Sequence, residues 1–326
     1  MIKQDKKNIF DAKRHGYILV ITITLLSLAV VIVTRLANDS VLNISYVVNS
    51  YKRLKAQQLA FSGIDLGRSI ISLKEDDPKK IKQFTQILLN LNRWQKYEIK
   101  LNDDSGLKCN LQFYLSSEQG KCNINQCLQF AKNEKSQKLE PNIWTIIAEP
   151  LGKILTAQDL KSATEEWAAN RTIPLNDTTD LLKLEKFAYF NDKIVINEKM
   201  EYALDDIFTI STNDAKIQPY LLSSSTAKLL KLKNINDFTA EEWQELVKKA
   251  AEKFTENSSI EKNWDELFAP MFGKKISELP TNFIKVCSPK WDPLIFSIIV
   301  QVQYDNVFYA LYAIISAEKI HRLYFI

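Results

Sequence analysis

"KRHGYILVITITLLSLAVVIVTRLAND" runs from Lys13 to Asp39. Within it Tyr17 to Val33 carries no charge, and this run begins directly after Gly16 and a basic cluster. The run sits at the short end of the roughly 17–25 residues that a membrane-spanning helix uses. A cleaved signal peptide would place a small-residue site after its apolar core. Here "TRLANDS" follows, which suits cleavage poorly. The first 16 residues hold Lys3, Lys6, Lys7, Lys13 and Arg14 against Asp5 and Asp11, a net +3 of the chain's +4. A positive leader holds the N-terminus in the cytoplasm. The expected topology is therefore a cytoplasmic leader (1–16), an apolar membrane half (17–33) and an exported body. Two readings of Gly16 stay open at this level: an uncut signal anchor, or a processing site that leaves the apolar run in place.

The helical pattern does not stop at the membrane. Ile44, Val47, Val48, Tyr51 and Leu54 recur at helical spacing, and "LAFSGIDLGRSIISL" extends the pattern to about Leu73. No proline follows Gly16 until Pro78. The spacing predicts one helix of roughly 55 residues, about 80 Å at 1.5 Å per residue, with an exported half over 34–73. Such a length needs a partner surface, because propensity alone stabilises a helix little. Gly63 and Gly67 form a small-xxx-small pair that would let another backbone approach, or else mark a kink or a weak helix end.

The body excludes several function classes. Removing the leader's +3 from the chain's +4 leaves about +1, too little for a nucleic-acid footprint. His15 and His321 are the only histidines, so a His-based metal cluster or a Ser-His-Asp triad has too few members. Cys109, Cys122, Cys127 and Cys287 show no C-x-x-C spacing; they are either buried thiols or disulfide partners of unspecified pairing. Glu165/Glu166 and Glu241/Glu242 are adjacent pairs, which do not face each other on a helix and so read as solvated faces. With no Gly-rich phosphate loop either, the chain reads as a non-enzyme.

The remaining elements read α+β. "YEIKLNDDSGLKCNLQFYLSSEQGKCNIN" holds two or three short strands, closing a first strand region over 74–125. Its acids Asp103, Asp104 and Glu118 could hold a cation but read more simply as solvated turn carboxylates. Residues 126–280 read as mainly helical, with a capping-box signature at Thr239 and Glu242. Over 281–326 an antiparallel meander is expected, with turns at 305–306 and 317–319. Its first strand puts Leu294, Phe296, Ile298, Val300, Val302 and Tyr304 on one face, and Ser297, Gln301 and Gln303 on the other.

Basic leader, Gly16, bulky Tyr17 and an uncharged run flowing into an amphipathic helix resemble the type IV prepilin-like class. The resemblance implies cleavage after Gly16 by a prepilin peptidase, N-methylation of Tyr17, and retention of the apolar run as a packing spine. Most members carry Glu at the fifth mature position, where Ile21 stands here. That carboxylate is thought to neutralise the buried terminal ammonium of the subunit above. Its absence marks the K-type minor pseudopilin of type II secretion, a subunit with nothing above it. "YKRLKAQQLAFSGIDLGRSII", "SSEQGKCNINQC", "DTTDLLKLEKFAYFNDKIV" and "LDDIFTISTNDAKIQPYLLSSSTAKLL" are similar to K-type stretches in the same order, with Ala215 where the family has Gly.

The resemblance implies a pilin-like α+β fold: a long N-terminal helix, an antiparallel sheet and a large inserted helical domain. It also implies I-type and J-type minor pseudopilins, the major pseudopilin, prepilin peptidase and the inner-membrane assembly platform as partners. The location implied is the bacterial inner membrane with a periplasmic body. K-type relatives can hold calcium in the insert; no ligand is carried over, and Asp205 and Asp206 are the first acids to inspect. The alternatives are a minor pilin of a type IV pilus, or a signal-anchored exported enzyme or binding protein.

Overall fold

A computed structural model describes residues 5–71, 87–100, 108–125, 143–151, 156–169, 173–212, 216–233, 235–256, 264–284, 287 and 295–326. The turn at Asp103, Asp104 and Gly106, together with Cys127, Ala215 and Leu294, lies outside these residues. The N-terminal helix α1 spans Asp5–Ile71. The chain divides into two compact units, Met1–Lys55 and Ala56–Ile326.

In the first unit α1 is exposed from Tyr17 to Tyr51. Thr22, Thr24 and Thr34 turn their hydroxyls back onto the carbonyls of Ile18, Val20 and Val30, each at 2.8 Å. Each of these threonines thus satisfies its own hydroxyl, which lets it sit in an apolar helix. One 18-residue window reaches a mean hydropathy of 2.6, long and apolar enough to cross a membrane.

The second unit is built on a five-stranded antiparallel sheet, ordered β1 (Trp94–Lys100), β2 (Lys108–Ser117), β5 (Phe296–Tyr304), β6 (Val307–Ile315), β7 (Ile320–Phe325). The C-terminal meander forms with both expected turns, Asp305 adopting φ 52° in the first. Ala56, Ala60, Ile64 and Ile71 of α1 are buried in the main core with Leu111, Phe113, Ile298 and Val300. The helix's end is tied to the β6–β7 turn by the Arg68 guanidinium, which donates to the carbonyls of Ala317 (3.4 Å) and Glu318 (3.0 Å).

Between β2 and β5 the chain makes two short strands that pair in parallel, β3 (Cys122–Asn123) and β4 (Phe208–Thr209), and a set of short helices and 3-10 turns. The helices are α2 (Ile143–Leu151), α3 (Ala157–Ala169), α4 (Leu204–Ile207), α5 (Ser224–Leu229), α6 (Ala240–Glu256), α7 (Trp264–Phe272) and α8 (Thr281–Ile284). The expected capping box opens α6: the Thr239 amide donates to Glu242 (2.8 Å) and the Glu242 amide to the Thr239 hydroxyl (3.2 Å). The fold is α+β with a long N-terminal helix, as expected.

The second face of the sheet departs from the sequence reading. Ser297, placed by alternation on the face with Gln301 and Gln303, is 3% exposed, and Ile299 on that same face joins a second cluster with Tyr114, Tyr312, Ile196 and Ala203. Residues from the segment between β4's partner and β5 thus cover this face. Asn92 holds the junction with a buried αL conformation (φ 55°). Its amide donates to the Leu115 carbonyl (2.7 Å) and its side chain to the Leu222 carbonyl (2.6 Å). The Trp243 indole donates to the Leu88 carbonyl (3.1 Å), a second tie across the same junction.

The 3-10 turn Glu118–Gly120 lies against residues 218–223, joined by the Gln218 amide to the Gln119 carbonyl at 2.8 Å. A Cβ on Gly120 would stand 1.7 Å from the Leu221 carbonyl oxygen and 2.8 Å from the Leu222 Cα. These are backbone atoms that cannot swing aside. Gly120→Ala is expected to cost about 3 kcal/mol or more, at the upper end of overpacking penalties. Denaturant unfolding of the detergent-solubilised chain measures it, with Gly273→Asn, at an exposed αL position (φ 73°), as a mild control.

Candidate functional site

Two regions hold the candidate residues, one in each unit. The first is α1. Gly16 lies within the helix, Tyr17 is 71% exposed and Ile21 is 45% exposed, so the expected processing site begins an uncovered apolar surface. The same exposure holds at Ile44, Val47, Val48, Tyr51 and Leu54 beyond the uncharged run. These residues recur at i, i+3, i+4 and i+7, the pattern of one helix face made for an apolar partner.

Gly63 and Gly67 act within the chain itself. A Cβ on Gly63 would meet Val300 Cγ1 at 2.6 Å, and one on Gly67 would meet Ile298 Cδ1 at 2.2 Å. The close approach is therefore to β5 side chains of the same sheet, not to another backbone, and α1 continues through both glycines to Ile71.

The second region is a polar seam in the other unit. Sequence reasoning placed Glu118 among solvated turn carboxylates; it is 1% exposed. Lys121, at 2% exposure, meets it at 2.5 Å and donates to the Ser297 hydroxyl on β5 at 2.7 Å. The second carboxylate oxygen of Glu118 accepts from the Thr209 hydroxyl on β4. The correction has a physical cause: β3 and β4 pair beside the turn and carry it out of water, and burial at this depth requires the pair and its hydrogen bonds together.

Asp205 and Asp206, adjacent on α4, point to different partners. Asp206 is buried, accepting from the Ser116 hydroxyl (3.0 Å) and the Ser225 amide (2.7 Å). Asp205 accepts from the Thr178 hydroxyl. It lines a small open cleft with Glu118, Asp177, Thr209, Tyr312, Arg322 and Tyr324. Burial lifts Asp205 from 3.8 to about 7; the Thr178 hydroxyl and Lys121 oppose the rise, while Asp177 and Glu118 add to it. Burial also works to raise Asp177. Hydrogen bonds from the Thr179 hydroxyl and amide and from Tyr324, with the Arg322 charge, nevertheless hold it below the ordinary value. Tyr312 is pushed well up, by burial first and then by the Asp205 and Glu118 charges. Among the described residues no group of three or more His, Cys, Asp or Glu is placed to hold a metal ion.

The remaining candidates are dispersed. Glu165 lies on an exposed face 3.8 Å from Lys161, and Glu241 and Glu242 open α6 at the surface. Cys109 and Cys287 are free thiols; burial raises both, Cys287 to about 12, and Cys287 donates to the Phe283 carbonyl at 3.4 Å. Cys122 is buried on β3. Of the seam residues, Asp206 stood out in the sequence only as an acid to inspect for calcium, and Lys121 and Ser297 carried no functional signal there. The nearest hint was the "SSEQGK" element, with Glu and Lys three apart.

No family model matches the chain, and neither does any curated protein. Among solved structures, the chain is similar to a chain of the GspK–GspI–GspJ complex from the enterotoxigenic Escherichia coli type 2 secretion system. The likeness has 11% sequence identity and a TM-score of 0.41, over 84% of this chain and 99% of that one.

Lys121→Met leaves Glu118 buried without its counter-charge and is expected to destabilise by about 3–5 kcal/mol. The double variant Glu118→Gln/Lys121→Met removes both charges and recovers most of that loss. A double-mutant cycle from denaturant unfolding at pH 7 checks it.

Proposed function

We propose that this chain is a K-type minor pseudopilin that starts assembly of a type II secretion pseudopilus. The observation that carries the reading is the uncovered apolar face of α1, which begins at Tyr17, directly after a +3 leader ending in Gly16. An uncharged helical surface of this extent is stable in lipid or against other apolar helices, and not in water. Ile21 fits a terminal place in the filament, where no ammonium of a further subunit needs a carboxylate.

On this reading prepilin peptidase cuts between Gly16 and Tyr17 on the cytoplasmic side, and the new Tyr17 terminus is N-methylated. Tyr17 to Val33 anchors the chain in the inner membrane with its body in the periplasm. There it packs with the equivalent helices of I-type and J-type minor pseudopilins, and the resulting bundle primes addition of the major pseudopilin at the assembly platform. The helical segment 126–280, inserted between the strand regions 74–125 and 281–326, crowns the tip. The protein acts by assembly and not by catalysis.

The test is the N-terminal mass of the chain isolated from its own membrane. A mature terminus at Tyr17 carrying one added methyl group is expected, with loss of both processing and assembly in Gly16→Leu. An unprocessed terminus ahead of Gly16 in the native protein overturns the reading.

A further inference from the structure

The cleft beside Asp205 lies on a seam between two elements. On one side is the 3-10 segment Thr178–Lys183 with its N-cap Asp177. On the other is β7, an edge strand of the sheet. Arg322 of β7 donates to the Asn176 carbonyl and lies 3.4 Å from the Tyr324 hydroxyl, and Tyr324 in turn hydrogen-bonds Asp177. Behind this seam the Thr178 hydroxyl reaches Asp205 on α4.

The charges facing Asp205 do not balance. Glu118 and Lys121 come from the neighbouring turn, Asp177 from the 3-10 segment and Arg322 from β7, while β6 and β7 contribute the neutral phenols Tyr312 and Tyr324. Asp206 is directed away, into Ser116 and Ser225. Lys121 is already committed to Glu118 and Ser297. With Asp205 ionised, three carboxylates share this cleft with Arg322 and a Lys121 that is already paired. Asp205 is half-buried at this cleft, and a carboxylate held beside like charges with limited water is stabilised by taking up a proton or by further hydration.

We propose that the seam between Thr178–Lys183 and β7 is a proton-operated latch, closed when Asp205 is neutral and opened to water when Asp205 ionises. The closed form binds a proton up to about pH 7, whereas an opened, hydrated Asp205 returns toward 3.8. The closed state is therefore favoured at low pH and lost as pH rises through 7. The opening equilibrium climbs by about tenfold per pH unit between these two values and flattens above the upper one. The latch is independent of the reading of α1 as an assembly helix: it concerns only groups within Ala56–Ile326.

Hydrogen exchange of the full chain in detergent tests this from pH 5 to pH 8.5, after correction for the intrinsic pH dependence of exchange. Peptides covering 173–190 and 318–326 are expected to lose protection by about tenfold per unit up to about pH 7 and then level off. Peptides from β2 and β5 stay unchanged. Asp205→Asn, which accepts the Thr178 hydrogen bond without titrating, removes the pH dependence. Thr178→Val, which takes a stabilising donor from the ionised form, moves the levelling point to higher pH. An unchanged pH dependence in Asp205→Asn overturns the latch, and so does a protection loss spread evenly over all peptides. Should Asp205→Asn not fold, a levelling point left in place by Thr178→Val overturns it alone.

Discussion

The buried pair Glu118–Lys121 constrains how the second unit packs. Neither charge is reached by solvent, so each must keep the other and a hydroxyl partner. Those hydroxyls come from Ser297 on β5 and Thr209 on β4. A short turn thereby fixes the sheet and the helical segment to one another. Moving either element strands a charge in a medium that cannot hydrate it. The neighbouring Gly120 leaves no slack, because the Leu221 backbone occupies the space a side chain would take.

The same logic accounts for the rest of the seam. Asp206 is satisfied by Ser116 and Ser225, Asn92 by Leu115 and Leu222, and the polar interior of this junction is a chain of paired groups. Asp205 is the member with the poorest settlement, partnered by a hydroxyl and set among like charges. The opposite side of the sheet has different chemistry. There Ala56, Ala60, Ile64 and Ile71 of α1 join the apolar core, and Gly63 and Gly67 let β5 side chains approach closely.

The legible parts were those with a local signature. The apolar run and the i, i+3, i+4 spacing mark α1, which is described as helix up to Ile71, with the expected end at Leu73 outside the described residues. Alternation and turn residues mark the C-terminal meander, and Thr239 with Glu242 marks the start of α6. Gly63 and Gly67 announced a close approach but not what approaches, since small residues are equally suited to a helix backbone or to Val300 and Ile298. Glu118 read as solvated, because an acid in a turn usually is, and alternation placed Ser297 opposite the apolar face without indicating what covers it.

Linear order alone determined that this chain carries an uncharged helical run, Tyr17 to Val33, behind a basic stretch, and an antiparallel meander over its last residues. Periodicity and charge over a few tens of residues contain that information, as does the resemblance built on them. Which polar groups leave water was decided only in three dimensions. Lys121 meets a serine 176 positions away and Glu118 a threonine 91 positions away. Burial is a property of what packs over a residue, and no local pattern records the element that will arrive from so far along the chain.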